Sequence, residues 1–381
     1  SYIDALIKEQ QFENAKQVIE QAKKQGVDGE KLNIIKVPLA SMNEAVNADS
    51  EKPSQQQLSS LLEHYQNGRL NDAEKLAVSI TNEFPKHQFA WKVLGAVLKQ
   101  TGKVIDSLTS MQKSVDLMPQ DAEAHSNLGA TLKELGRLDE ALASYTQAIE
   151  LKPDFAEVHS NLGNTLKELG RLEEADASFR QAIALKPDFA EAHNNLGITL
   201  QELGRLDEAL ASYTQAIELK PDFAEVHSNL GNTLKELGRL EEADASFRQA
   251  IALKPDFAEA HNNLGIMLKE LGRLGEALAS YTQAIALKPD YAEAHSNLGN
   301  ALQELGRLDE AEVSFSQAIA LKPDYALAHF NLGNTLQELG RLDEALASYA
   351  QVIALKPDFA EVHSNLGTTL IAKGKTESAL K

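Results

Sequence analysis

A glycine recurs at every thirty-fourth position from Gly68, Gly102 and Gly136 through to Gly374, and prolines from Pro85 to Pro357 keep the same period. A chain built by copying one short unit cannot close around a single core. Each copy presents the same faces and can bury them only against the copies before and after it. The length of 381 residues, which would otherwise suggest two or three domains, therefore carries little information. The copying is literal: residues 156–189 return letter for letter at 224–257, and residues 134–198 return at 202–266, so units were duplicated in pairs. An active site needs one place unlike the rest, whereas this pattern lengthens a surface.

Within one unit, Leu128, Leu132 and Leu135 fall at i, i+4 and i+7, which is one face of a helix. Gly136 follows as a stop, and Ala141, Tyr145 and Ala148 restart the same spacing. Pro153 closes the second helix. Asp154 is placed to cap the next first helix, with Glu157 three residues on to complete a capping-box pair. The expected fold is all-α, an α-solenoid of helix-turn-helix repeats with no strand.

Composition narrows the partners. Of 37 basic and 56 acidic residues, 23 and 40 fall after Asp121, so the acidity belongs to the repeats and works against nucleic acid and anionic lipid as partners. No apolar run approaches the roughly 20 residues of a membrane helix. The absence of cysteine excludes disulfides, thiolate nucleophiles and cysteine-ligated zinc. Residues 1–24 contain no signal-peptide core, and a cytoplasmic location is the default expectation.

With Ala122 as the first position, Leu128, Gly129, Gly136, Ala141, Tyr145, Ala148 and Pro153 fall on the pattern of tetratricopeptide repeats, which the array from residue 54 to 381 resembles. His125 stands where that pattern has Trp, and Leu132 where it has Tyr. The resemblance implies a right-handed superhelix of 34-residue units: two divergent ones over residues 54–121, seven near-identical ones over 122–359, and a tenth over 360–381 that stops one turn into its second helix. Upstream, residues 1–45 hold a helical segment with a partial repeat at 10–26, and residues 46–57 have linker composition.

The resemblance also implies that the first helices line a concave groove. Position six of each unit, which points into it, is Asn127, Asn161, Asn195, Asn229, Asn263, Asn297, Asn331 and Asn365. An amide with two donors and one acceptor complements a peptide group, so the row can grip an extended chain by its backbone. It is similar to the asparagine ladder of O-linked N-acetylglucosamine transferases. The other reading is that these amides bond neighbouring repeats. Position nine adds Asn164, Asn232, Asn300 and Asn334 to the peptide-binding candidates. Repeats that clamp acidic chaperone tails need Lys or Arg where this chain has Ser126, Glu157 and Asn195, so such tails are excluded as ligands.

A file of histidines, His125 to His363, occupies the packing slot of the family's Trp, and successive copies are too far apart to share a metal ion. No nucleophile-base pair, phosphate loop or carboxylate dyad stands apart from the repeat, so neither a catalytic residue, a cofactor nor a metal is expected. The leading functional reading is a protein-protein interaction scaffold that binds an extended polypeptide segment. The competing one is the substrate-recruiting arm of a larger bacterial glycosyltransferase or sulfotransferase, which such repeats also resemble. Self-association through uncapped terminal repeats is a third.

Overall fold

The computed structural model describes residues 52–379, with side chains to Gly374. The expected N-terminal segment at 1–45 and the first half of the stretch at 46–57 lie outside the described residues. Two compact units divide within one helix, after Thr165. The first contains α1 (Gln55–Gln66), α2 (Leu70–Glu83), α3 (Gln88–Gln100), α4 (Val104–Leu117), α5 (Ala122–Glu134), α6 (Leu138–Leu151) and most of α7 (Ala156–Glu168). The second contains α8 (Leu172–Leu185), α9 (Ala190–Glu202), α10 (Leu206–Leu219), α11 (Ala224–Glu236), α12 (Leu240–Leu253), α13 (Ala258–Glu270) and α14 (Leu274–Leu287). It continues with α15 (Ala292–Glu304), α16 (Leu308–Leu321), α17 (Ala326–Glu338), α18 (Leu342–Leu355) and α19 (Ala360–Ala379). The fold is all-α, and the described residues form no strand.

The turn inside each hairpin is set by glycine. Gly136 has φ 72°, its N–H donates to the Lys133 carbonyl, and the Arg137 N–H reaches back to the Leu132 carbonyl, both at 2.9 Å. These are the two bonds of a Schellman motif, which closes the first helix and leaves a connection short enough to fold the second back upon it. From α1 to α6 and from α8 to α19 each helix packs on the next in sequence, and within these stretches a first helix also touches the first helix of the following repeat. The first helices thus form the tighter row.

A second glycine sets how closely the hairpin closes. A Cβ on Gly197 would lie 2.6 Å from the Tyr213 ring, and one on Gly231 would lie 2.8 Å from the Phe247 ring. Those rings, with Ala209 and Ala216 beside Tyr213 and Ala243 and Ala250 beside Phe247, are fully buried. Only a residue without a side chain lets a rigid ring sit on the facing backbone.

Two local expectations are corrected. In α9, α11, α13, α15 and α17 the aspartate side chain does not cap the first helix: the N-cap residues are Phe189, Phe223, Phe257, Tyr291 and Tyr325, none with a side-chain capping bond. The backbone does the work, with Asp188 O accepting from the Ala190 N–H at 3.1 Å, while the ring at the N-cap lies under a lysine, as Phe189 does 4.8 Å from Lys186 Nζ. Asp121, which has no aromatic residue after it, does cap α5, accepting from the N–H groups of Glu123 and Ala124. The stop expected at Gly374 is also absent, because α19 runs through it to Ala379.

Candidate functional site: the first-helix asparagine face

All eight asparagines of position six and all four of position nine are half-buried, and all of them lie on first helices. Several join across repeats. Asn229 Nδ2 donates to Asn194 Oδ1 at 3.1 Å, and Asn297 Nδ2 to Asn262 Oδ1 at 3.0 Å. Asn331 donates to Asn300 at 2.8 Å, and Asn365 to Asn334 at 2.9 Å. Asn195 accepts a long bond of 3.4 Å from its neighbour Asn194. Four of the row therefore brace adjacent first helices. Asn127, Asn161 and Asn263, with Asn164 and Asn232, make no side-chain hydrogen bond among the described residues, and their amides keep every donor and acceptor open.

The bracing residues Asn194 and Asn262, buried at 8% and 4% exposure, stand at position five and were not among the sequence candidates. Their signal is the doublet in "HNNLGI", which occurs in alternate units. The residue types preceding Asn263 (Ser228 and Asn232) match those preceding Asn331 (Ser296 and Asn300), yet only Asn331 forms the bond. The residue beside the amide differs, Asn262 in one case and Phe330 in the other.

A second row runs parallel to the first. Position twelve of one unit reaches the position-thirteen glutamate of the next: Gln201 to Glu236 at 2.6 Å, Lys269 to Glu304 at 2.6 Å and Gln303 to Glu338 at 2.7 Å. These carboxylates remain about half exposed, Glu304 at 48%. Where the partner is Gln rather than Lys, the negative charge is left uncompensated. Beneath this row, burial and the charges of Glu202 and Glu236 push the Tyr213 phenol up, and burial raises that of Tyr349 to about 12. In the first unit, Asn127 and Glu134 line a hollow of about 340 Å³ with Tyr65, Ala96, Lys99 and Gln100. Another hollow of about 750 Å³ opens on the opposite side, between α4 and α6, above Trp91, Leu128 and Leu132.

The histidine file has a structural use. In each of the eight copies, Nε2 lies 2.9–3.2 Å from the carbonyl of the proline six residues earlier, as His159 does from Pro153 and His261 from Pro255. A carbonyl only accepts, so Nε2 carries the proton. Trp91, in the divergent repeat, makes the same bond from Nε1 to Pro85 O at 2.9 Å. Histidine thus replaces tryptophan while keeping a ring and a donor in place. Among the described residues no three His, Asp or Glu side chains converge as a metal site would need, and no helix is long and apolar enough to cross a membrane.

Comparison with known proteins bears on the fold and the family. No curated protein matches the sequence. Among solved structures, the APC/C hetero-tetramer Cut9-Hcn1 is similar with a TM-score of 0.54 and 21% identity, over 79% of this chain and 59% of that one. The chain thus spans less than two thirds of that protein. PilF of Pseudomonas aeruginosa is similar with a TM-score of 0.50 and 20% identity, over 55% of this chain and 95% of that one. YrrB, a TPR protein with an unusual peptide-binding site, has a TM-score of 0.40 and 26% identity over 48% of this chain and 95% of its own. At these levels the first two speak for the fold alone. Family profiles match as well: one described as TPR repeat over residues 131–170, and one described as the cilia and flagella-associated protein 70 C-terminal domain over residues 154–362. With more than half of its length matched by the latter, the chain belongs to the tetratricopeptide-repeat family, in the group that this C-terminal domain represents.

Proposed function

We propose that this chain is a protein-interaction scaffold whose first-helix face forms a groove for an extended segment of a partner protein. The observation that carries the reading is the division of labour among the asparagines. Some amides are used between repeats, while Asn127, Asn161 and Asn263 keep theirs unused on a half-buried face. An unused amide in such a place can exchange water for a peptide group, which is worth about 0.5–1.5 kcal/mol per bond. The braced amides hold the row and retain one N–H each, so they can contribute less. Contacts to a ligand backbone disregard its side chains, and the uncompensated glutamates of the parallel row favour segments carrying Lys or Arg. A recruiting arm of a larger enzyme would use the same face.

The test separates two triple variants. Changing Asn127, Asn161 and Asn263 to Ala is expected to weaken binding of a pool of unstructured peptides severalfold at unchanged melting temperature. Changing Asn229, Asn297 and Asn331 to Ala is expected to lower the melting temperature as well. If the first variant binds the pool as tightly as the parent chain, the asparagine face is not the ligand site.

A further inference from the structure

The repeats of the second unit share one edge arrangement, and a single repeat departs from it. The lysine that follows each second helix meets the position-two glutamate of its own unit and the aromatic ring three residues on. Lys254 lies 2.8 Å from Glu225 and 4.8 Å from the Phe257 ring; Lys288 lies 3.0 Å from Glu259 and 4.8 Å from the Tyr291 ring. Lys220 and Lys322 are held the same way, by Glu191 and Phe223 and by Glu293 and Tyr325. These cations are neutralised where they stand.

In the unit that begins with α17, position two is Leu327 and position five is Phe330. The position-two carboxylate that pairs with this lysine in the other units is missing for Lys356. Its ring is also taken, since Phe359 packs against Phe330 with centroids 5.0 Å apart. Lys356 is exposed and has neither an ion pair nor a ring partner among the described residues. Leu327, in the place of the missing glutamate, is 47% exposed. One edge of an acidic array therefore offers an open ammonium group beside an open leucine and a half-buried phenylalanine.

We infer that Leu327, Lys356 and Phe359 form a docking point, separate from the asparagine face, for a partner-protein segment that carries an acidic side chain next to a large apolar one. Charge complementarity decides the chemistry. In the other units the array supplies the carboxylate itself, and here a partner can supply it. An acidic group gains the ammonium without displacing an internal pair, and the adjacent apolar side chain covers Leu327 and the edge of Phe359. A basic segment would meet Lys356 as a like charge. A purely acidic one would leave Leu327 in water.

The experiment uses the whole chain and three end-capped, fluorescently labelled peptides in a Gly-Ser background, with central runs of Leu-Asp-Leu-Asp, Leu-Lys-Leu-Lys or Ser-Asp-Ser-Asp, titrated by anisotropy. The first is expected to bind more tightly than the third, and to depend on Leu327 and Lys356, whereas binding of the second, whose lysines suit the glutamates beside the asparagine face, does not. Leu327→Glu restores the residue found at this position in the preceding units and recruits Lys356 into an internal pair. It is expected to fold, to melt no lower than the parent, and to bind the first peptide about fivefold more weakly, the scale of a lost surface ion pair with its apolar neighbour. Lys356→Glu is expected to do the same, while Lys288→Glu leaves binding unchanged. Equal affinity for the first and third peptides overturns the inference, as does undiminished binding of the first by Leu327→Glu or an equal loss with Lys288→Glu.

Discussion

The divergent repeats near the start of the described chain and the copied repeats after it hold the same hairpin in different ways. Between α3 and α5 a single polar cluster does much of the work. Lys92, only 18% exposed, meets Asp121 at 3.0 Å and Glu123 at 2.9 Å, and Gln88 donates to Asp121 at 2.7 Å and to Ser114 at 2.9 Å. Met111, a flexible side chain, fills the place over Gly95 that a ring fills elsewhere. In the copied repeats nothing is so concentrated. Each joint is made of a ring on a glycine, a histidine on a proline carbonyl, and small amide or carboxylate bonds repeated in register. A unique cluster serves one place, whereas a joint that must be copied has to be complementary to itself.

The largest expected effect tests this at the glycines. Gly265→Ala would set a Cβ 2.6 Å from the Tyr281 ring, which is fully buried and cannot turn aside, and should destabilise the fold by about 2 kcal/mol. Gly95→Ala meets only Met111, whose end atoms at 2.8–2.9 Å can move, and should cost less than about 1 kcal/mol. Thermal unfolding of both variants measures the difference, and equal losses would erase the distinction between ring and methionine joints.

Next in size is the capping cluster. Asp121→Ala removes a cap and one partner of a mostly buried lysine and should cost about 2 kcal/mol. Asp188→Ala should be near neutral, since its side chain makes no capping bond. The aspartate also has a pH signature. Burial alone would raise the Asp121 carboxyl, but the bonds from Lys92, the Ala124 N–H and Gln88 outweigh it and hold the group below its ordinary 3.8. A depressed folded value means that this stability is present above that pH and is lost as pH falls below it. Acid titration of the parent and of Asp121→Asn should show a steeper loss for the parent below pH about 4.

The phenols give a smaller contrast inside the copied region. Tyr349 donates to Asn334 at 2.8 Å and Gln337 at 2.9 Å, while the buried Tyr281 hydroxyl has no partner. In Tyr281's own unit those two positions are Ile266 and Lys269. Tyr349→Phe should cost about 1 kcal/mol, and Tyr281→Phe should be neutral or stabilising. Because the Tyr349 phenol is raised to about 12, its contribution is whole below the ordinary value of 10.0 and disappears as pH rises through about 12. Alkaline unfolding of Tyr349→Phe should therefore begin higher than that of the parent.

The smallest effect separates the amides. Asn229→Ala breaks the bond to Asn194 and should lose about 0.5–1 kcal/mol, whereas Asn263→Ala breaks none and should leave stability unchanged. Chemical denaturation of the two single variants resolves them, and a loss at Asn263 equal to that at Asn229 would return the whole row to a structural role.

The helices and the glycine turns were legible in the sequence, because each depends on residues within one unit: a leucine stripe and a residue free to take positive φ. The row of asparagines was equally plain. What each amide does was not, because Asn229 and Asn263 are settled by partners some thirty residues away on another helix, and by what stands beside those partners. The same holds for Gly374, where a local stop signal goes unused and the helix runs on, and for Lys356, whose freedom arises from a leucine twenty-nine residues earlier in its unit. Periodicity is a local property that the chain carries in its letters. The pairing of hydrogen-bonding groups is decided only when the repeats stack, since a donor is used or left open according to the acceptor that the neighbouring repeat brings within 3 Å or so of it.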